Sequence, residues 1–312
     1  MMHESAAPIV DVTVAICTRD RCELLERALA ALARVEVPNG LRWEVVVVDN
    51  GSSDATAGVI ARYAALLPLR GLVERPAGLS RARNAAVQAA RGAYVLWMDD
   101  DVLVERHWLR AYSDAFARWP EVAFFGGPIE PLFEGEPVRW LAGALPNVSN
   151  AYAAIDLGPE SVALDGDTLP YGANFAVRSV DQRVHRFDPA LGRRGARMYA
   201  GEEWAIMQAL LAEGAQGQWV PAARVRHIIP RDRQSVGYLR RYYFWNGTSL
   251  ALVRQSRDER MLFGRPRWIW REAVQQELMY RVRRITAPAS TWSVHMRRAS
   301  TAWGMLQPVA RR

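Results

Sequence analysis

Short valine-rich runs punctuate the first hundred residues, and each stops at a polar cluster. VDVTVAICT (Val10–Thr18) ends at Thr18-Arg19-Asp20, and Leu24, Leu25, Ala28, Leu29 and Leu32 then recur at helical spacing, so a strand followed by a helix is predicted. WEVVVVD (Trp43–Asp49) is nearly continuous in valine, the pattern of a strand covered on both faces. It runs into Asn50-Gly51-Ser52-Ser53-Asp54, whose last residue is a helix N-cap candidate before residues 55–67. A strand over 69–74, a helix over 79–90 and a strand over 93–98 repeat the rhythm. A helix over 105–118 and a strand over 122–125 follow. Residues 126–170, studded with Gly and Pro, are read as loops and short strands. Beyond them the pattern predicts strands at 174–177, 218–220 and 224–228, and a helix over 202–213. From Val236 onward the chain is helical in pattern, with breaks at Pro266 and Pro288.

Alternating strands and helices of this length predict an α/β fold, an open, mostly parallel, Rossmann-like sheet flanked by helices. Ligands of such sheets sit beyond the carboxyl ends of the strands, where the polar clusters after Thr18, Asp49 and Met98 all fall.

Composition changes this picture at the C-terminal end. Half of the 312 residues are hydrophobic and 23% are charged, as in a folded globular chain. The net charge of +7 conceals an asymmetry: residues 224–312 hold 19 Arg against five acids, while residues 1–223 hold 21 Arg against 28. All 40 basic residues are Arg. Cys17 and Cys22 indicate neither a disulfide framework nor a zinc site. The opening MMHESAAP lacks a basic start followed by an apolar core, and no apolar run reaches about 18 residues, so a cytoplasmic, non-spanning protein is expected.

Asp99-Asp100-Asp101 directly follows the hydrophobic AYVLWM. Three carboxylates at a strand end repel one another unless a cation intervenes, and Mg2+ or Mn2+ held by one or two carboxylates leaves positions for phosphate oxygens. The other reading is a solvated acidic turn. Asp49 is likewise either a hydrogen-bond acceptor for a base or ribose, or a turn-former. Glu202-Glu203-Trp204 puts two acids on the first turn of a helix, which ordinary helix-start preference also explains. His227 is either a third metal ligand or a structural histidine.

The ordered motifs VAICTRDR, VVVVDNGSSD, GLSRARNAAVQAARGAYVLWMDDD, GANFAVR and GEEW resemble those of family 2 glycosyltransferases of the GT-A fold, over about residues 10–230. The resemblance implies a nucleotide-binding half (about 8–127), an acceptor-binding half (about 128–230) and a basic helical extension (231–312). It implies that Thr18, Arg21, Asp49, Arg83 and Asn84 face a nucleotide-sugar donor, UDP-sugar favoured. Asp99 and Asp101 match the outer members of the DxD motif, with Asp101 the metal ligand and Asp99 or Asp100 nearer the ribose. Glu203 aligns with the general base, Glu where Asp is usual, with Glu202 the alternative. His227 would be a metal ligand or a diphosphate contact. Gly172 and Asn174 would line the acceptor site, and Trp204 would stack on an acceptor sugar or belong to the core. The implied reaction is inverting and metal-dependent, on a saccharide or lipid-diphosphate-linked acceptor in cell-surface glycan synthesis.

In the extension, Tyr242, Tyr243, Phe244, Trp245, Trp268 and Trp270 alternate with Arg240, Arg241, Arg265, Arg267 and Arg271. That composition suits helices lying on the anionic inner face of the cytoplasmic membrane, or helices packed on the catalytic domain or in a dimer. No motif for nucleic acid accompanies it. A nucleotidyltransferase or another nucleotide-sugar enzyme would leave GEEW unexplained, and a non-catalytic carbohydrate-binding module would need no metal carboxylates. CTRDR in place of a glycine fingerprint disfavours a dehydrogenase.

Overall fold

A computed structural model describes residues 10–194, 197–198, 201–253 and 260–307. The elements β1 (Val10–Thr18), α1 (Cys22–Leu32), β2 (Trp43–Asp49), α2 (Thr56–Tyr63), β3 (Leu69–Val73), α3 (Leu79–Ala89) and β4 (Gly92–Met98) follow the hydrophobic pattern. Next come β5 (Val102–Val104), α4 (Trp108–Arg118), β6 (Phe124–Gly126), β7 (Ile129–Phe133) and α5 (Arg139–Val148). They are followed by β8 (Ala163–Leu164), β9 (Asn174–Arg178), α6 (Ser179–Val184), β10 (Arg193–Arg194) and β11 (Arg197–Met198). The rest are α7 (Glu202–Ala212), β12 (Gly217–Trp219), β13 (Val225–Ile229), α8 (Val236–Val253), β14 (Met261–Leu262), β15 (Arg265–Pro266), α9 (Arg267–Thr286) and α10 (Ala289–Met305).

The chain divides into two compact units. The first comprises the residues up to Glu130, Ile155–Ala190 and Glu202–His227; the second comprises Pro131–Ala154, Leu191–Gly201 and the residues from Ile228 onward. The helical unit therefore draws on 131–154 and 191–201 as well as on the C-terminal segment.

An eight-stranded sheet, ordered β3-β2-β1-β4-β9-β6-β12-β8, organises the first unit. The strands from β3 to β4 are parallel and β9 runs antiparallel to both β4 and β6. Val45–Val48 of β2 are fully buried, each valine contributing about 1.5–3 kcal/mol of hydrophobic stabilisation. The register aligns Thr18 with Asp49, so β1 and β2 end together. Met98 pairs with Asn174, so β9 begins where β4 ends. One edge of the sheet thus collects the loops after β1, β2 and β4 and the loop before β9.

In the second unit α10 packs on α8, α9 and α5. Pro266 and Pro288 stand immediately before α9 and α10, where a missing N–H costs nothing. Gly247 and Gly304 let α8 and α10 touch backbone to backbone: a Cβ on Gly247 would collide with the Thr301 carbonyl, and one on Gly304 with that of Phe244.

One sequence expectation changes here, and the burial of the extension's aromatic residues adds to another. The stretch read as loops contains α5, whose buried Leu141, Ala144 and Val148 are spaced helically but are interrupted by Gly143 and Pro146. Of the aromatic residues expected at a membrane face, one is buried and five are partly buried. Tyr243 is buried, Tyr242 donates to the Asn150 carbonyl at 3.0 Å, and Trp268 and Trp270 pack against the cluster around Ile269 and Ala273.

Candidate active site

The floor of the site is knitted from the loops after β1 and β2. Asp20, with a left-handed φ of 50°, accepts from the Ser53 N–H at 2.7 Å and its own N–H donates to Ser52 Oγ at 2.9 Å. Asp54 accepts from the N–H groups of Cys22 (2.9 Å) and Thr56 (3.0 Å), tying the starts of α1 and α2 together. The Thr56 hydroxyl and these N–H groups hold its carboxyl down at about 2. Asp49, nearly buried, accepts from the Ser52 N–H at 2.8 Å.

The three aspartates at the end of β4 occupy different environments. Asp100 and Asp101 are buried, whereas the Asp99 side chain is 38% exposed. Asp100 accepts from the Thr18 hydroxyl at 2.8 Å and from Arg21, and Arg21 also reaches Asp101 at 2.9 Å. Burial drives the Asp100 carboxyl up to about 6 against the pull of Arg21. Thr18 and Arg21, expected to face the donor, thus turn their polar atoms to this carboxylate run. Of the two candidates for the ribose side, Asp99 is the open one.

Asp101 lies 3.3 Å from His227 Nε2, brought there by the antiparallel pairing of β13 with β5, which sets His227 opposite Val102. A carboxylate suits Mn2+ or Mg2+ beside phosphate, whereas an imidazole is the less usual ligand for either. Among the described residues no group of three or more His, Cys, Asp or Glu side chains is placed to hold a metal ion.

Arg83 of α3 is the centre of the site. Its guanidinium is 3.0 Å from Glu202, 3.5 Å from Glu203 and 3.4 Å from Asp99, and it lies over the rings of Phe187 and Trp97. Burial works against its charge, but Glu202, Glu203 and Asp99 outweigh it and raise the Arg83 pKa. Glu202 is sealed in, and burial, reinforced by the neighbouring Glu203 charge, lifts its carboxyl to about 8. Glu203 accepts from the Gly172 N–H at 3.2 Å, while its Oε2, like that of Glu202, is buried without a hydrogen-bond donor. Gly172 has no room for a side chain: a Cβ would lie 2.5 Å from Arg83 Nη2 and 3.1 Å from Glu203 Oε1. Trp204 stands beside this pair, 40% exposed.

Two predicted residues are engaged elsewhere. Asn84 pins the backbone of Phe187, donating to its carbonyl at 2.8 Å and accepting from its N–H at 3.0 Å. Asn174 is fully buried. It donates to the carbonyls of Pro128 (3.1 Å) and Ala223 (2.7 Å) and accepts from Trp108 Nε1 (2.9 Å) and the Tyr112 hydroxyl (3.0 Å), so it offers no open face to an acceptor. Conversely, Tyr171 and Phe187 escaped the sequence reading. Burial and the Glu203 charge raise the Tyr171 hydroxyl pKa, and its signal was its place just before Gly172.

A mostly parallel sheet with acids gathered at its carboxyl edge is the GT-A arrangement, and solved GT-A glycosyltransferases share it. A mannosyltransferase from Pyrobaculum calidifontis in complex with GDP-Man and Mn2+ superposes with a TM-score of 0.54 at 16% identity, over 96% of this chain and 74% of that one. Residues 1–349 of S. aureus TarS, in complex with UDP-GlcNAc, give 0.53 at 16% identity, over 95% and 89%. Residues 13–141 match the family described as Glycosyl transferase family 2, and by its likeness to that family and to relatives named as glycosyltransferases the chain is a glycosyltransferase. Among its relatives, the succinoglycan biosynthesis protein ExoM of Rhizobium meliloti is 25% identical over 76% of this chain and 72% of its own length. The pre-mycofactocin glycosyltransferase of Mycobacterium tuberculosis is 28% identical over 80% of this chain, which spans 49% of that protein. A protein of succinoglycan biosynthesis and a glycosyltransferase are thus both among its relatives.

Proposed function

We propose that the protein moves a sugar from a nucleoside-diphosphate sugar, a UDP-sugar in preference, to a saccharide or lipid-linked saccharide hydroxyl, inverting the anomeric carbon. A lipid-linked acceptor would be met at the inner face of the cytoplasmic membrane, and the product would enter a cell-surface glycan. The observation that carries this reading is the one buried guanidinium of Arg83 between Asp99 and the Glu202–Glu203 pair. The acid on the donor side and the base on the acceptor side are held by a single fixed charge.

Glu203 is the base in this reading. One of its oxygens is anchored by the Gly172 N–H, and the other is a buried acceptor without a donor, which a substrate hydroxyl would satisfy. The acceptor oxygen bonds to the anomeric carbon as the bond from that carbon to the diphosphate oxygen breaks, and the hydroxyl proton passes to Glu203. Glu202, deeper and biased toward its protonated form, orients Arg83. Asp49 would take the donor's base and Trp204 an acceptor ring. Asp101 and His227 would hold a divalent ion, which when bound stabilises the departing diphosphate.

The test is Glu203→Gln in the full chain. Turnover is expected to fall by about 10²–10⁴-fold with nucleotide affinity retained. Full activity of that variant with Glu202 also neutralised would exclude a carboxylate base here. Absence of any thermal shift with nucleoside diphosphates plus Mn2+ would overturn the donor assignment.

A further inference from the structure

The long helix α9 buries one face and leaves a second apolar face open. Ile269, Ala273, Gln276 and Tyr280 turn inward, whereas Val274 (57%), Leu278 (62%), Val282 (49%) and Ile285 (88%) are exposed. Successive spacings of four, four and three residues set these four in one line along the helix. Trp270, one turn before Val274, extends the line. Phe263, 84% exposed at the tip between β14 and β15, meets the Trp270 ring edge-on at 5.9 Å, and Trp270 Nε1 donates to the Leu262 carbonyl at 2.9 Å. From Trp270 to Ile285 the line runs about 22 Å. Phe263 holds a left-handed φ of 48°, costly for a bulky residue, where a small polar residue would relieve strain and remove an exposed ring.

Arginines rim this surface. Arg267 and Arg271 continue the line toward the start of α9, Arg281 lies one turn beyond Leu278, and Arg284 flanks Ile285. The two acids of α9 are engaged with cations: Glu272 with Arg298 at 2.8 Å, and Glu277 with Arg240 at 2.8 Å and Arg281 at 3.1 Å. Among the described residues no carboxylate pairs with Arg267 or Arg271.

We propose that the α9 line and the Phe263 tip dock on an anionic lipid bilayer, with the apolar side chains at the headgroup boundary and the arginines on lipid phosphates. The same face on a second copy would bring arginine against arginine, which disfavours self-association. No described helix is long and apolar enough to cross a membrane, so attachment through these residues is peripheral. The inference is independent of the sugar-transfer chemistry.

The test is co-sedimentation of the full chain with vesicles of phosphatidylcholine alone or mixed with phosphatidylglycerol. Binding is expected on the mixed vesicles and to weaken with salt. The double variant L278S/I285S and the double variant R267Q/R271Q should each lower partitioning by about tenfold or more. Both alter exposed side chains, so thermal melting and transfer to a soluble acceptor should stay at wild-type levels. Equal binding to neutral and mixed vesicles, or unchanged binding by both variants, would overturn the proposal. A concentration-dependent dimer that L278S/I285S dissolves, with no vesicle binding, would overturn it in favour of a protein interface.

Discussion

Glu202 and Asn174 carry opposite lessons about burial. Glu202 is an acid whose pKa in the fold, about 8, stands above its ordinary value of 4.5. Between those values the folded state holds more protons than the unfolded one, so this group's contribution to stability declines as pH rises from about 4.5 to 8. Glu202→Gln removes that penalty while Asp99 and Glu203 still pair with Arg83. Its melting temperature relative to wild type is expected to climb from pH 5 to pH 8, by roughly 2–6 °C at the upper end. A difference that shrinks with pH would contradict the assignment. Asn174 is a polar group with its partners in place, and Asn174→Ala takes their side-chain partner from the Trp108 indole N–H and the Ala223 carbonyl, while the Tyr112 hydroxyl keeps the backbone carbonyl of residue 174 at 3.3 Å and the Pro128 carbonyl keeps the Val225 N–H at 3.1 Å. We expect a loss of about 2–4 kcal/mol in chemical denaturation, with no selective change in acceptor KM. The sequence could show that these residue types stand at these positions but not which lone pairs are already taken. YGANFAV reads the same whether Asn174 faces a sugar or four buried partners.

Long, strongly patterned strands were legible in the chain and short or interrupted elements were not. The valine runs of β1 and β2 and the hydrophobic run of β4 announce buried parallel strands, and the acids that follow them announce the site's edge. The three-residue β5 is too brief to show a period, yet its pairing with β13 sets His227 beside Asp101. Helix α5 was hidden by Gly143 and Pro146. In the C-terminal segment composition was legible and direction was not, since the helices turn Tyr243 inward and leave Leu278 and Ile285 outside. The contact of α8 with α10 rests on two glycines rather than on large side chains. Gly304→Ala must push Phe244 and its helix aside, and a cost of about 1–3 kcal/mol is expected in thermal denaturation of the full chain. Wild-type stability in that variant would mean that the helices separate freely.

For the whole molecule, the candidate site acids lie in a unit that does not include the arginine-rich helices, so ligand effects can be distinguished from surface-charge effects. Chelation with EDTA is expected to abolish the thermal shift produced by a nucleoside diphosphate and to leave the melting temperature of the free protein unchanged; added Mn2+ should restore the shift. An undiminished shift in EDTA would remove Asp101 and His227 from the metal role.

Gly172, Arg83 and Glu203 share one space so closely that none has freedom to drift alone. A side chain at 172 would displace both charged groups, and a shorter or uncharged residue at 83 would leave the two glutamates facing each other without compensation. Inheritance should therefore treat the three positions as a single character. Lineages descended from this chain would keep all three or lose them together, and a lineage that had lost them would retain the sheet while giving up the chemistry at its edge.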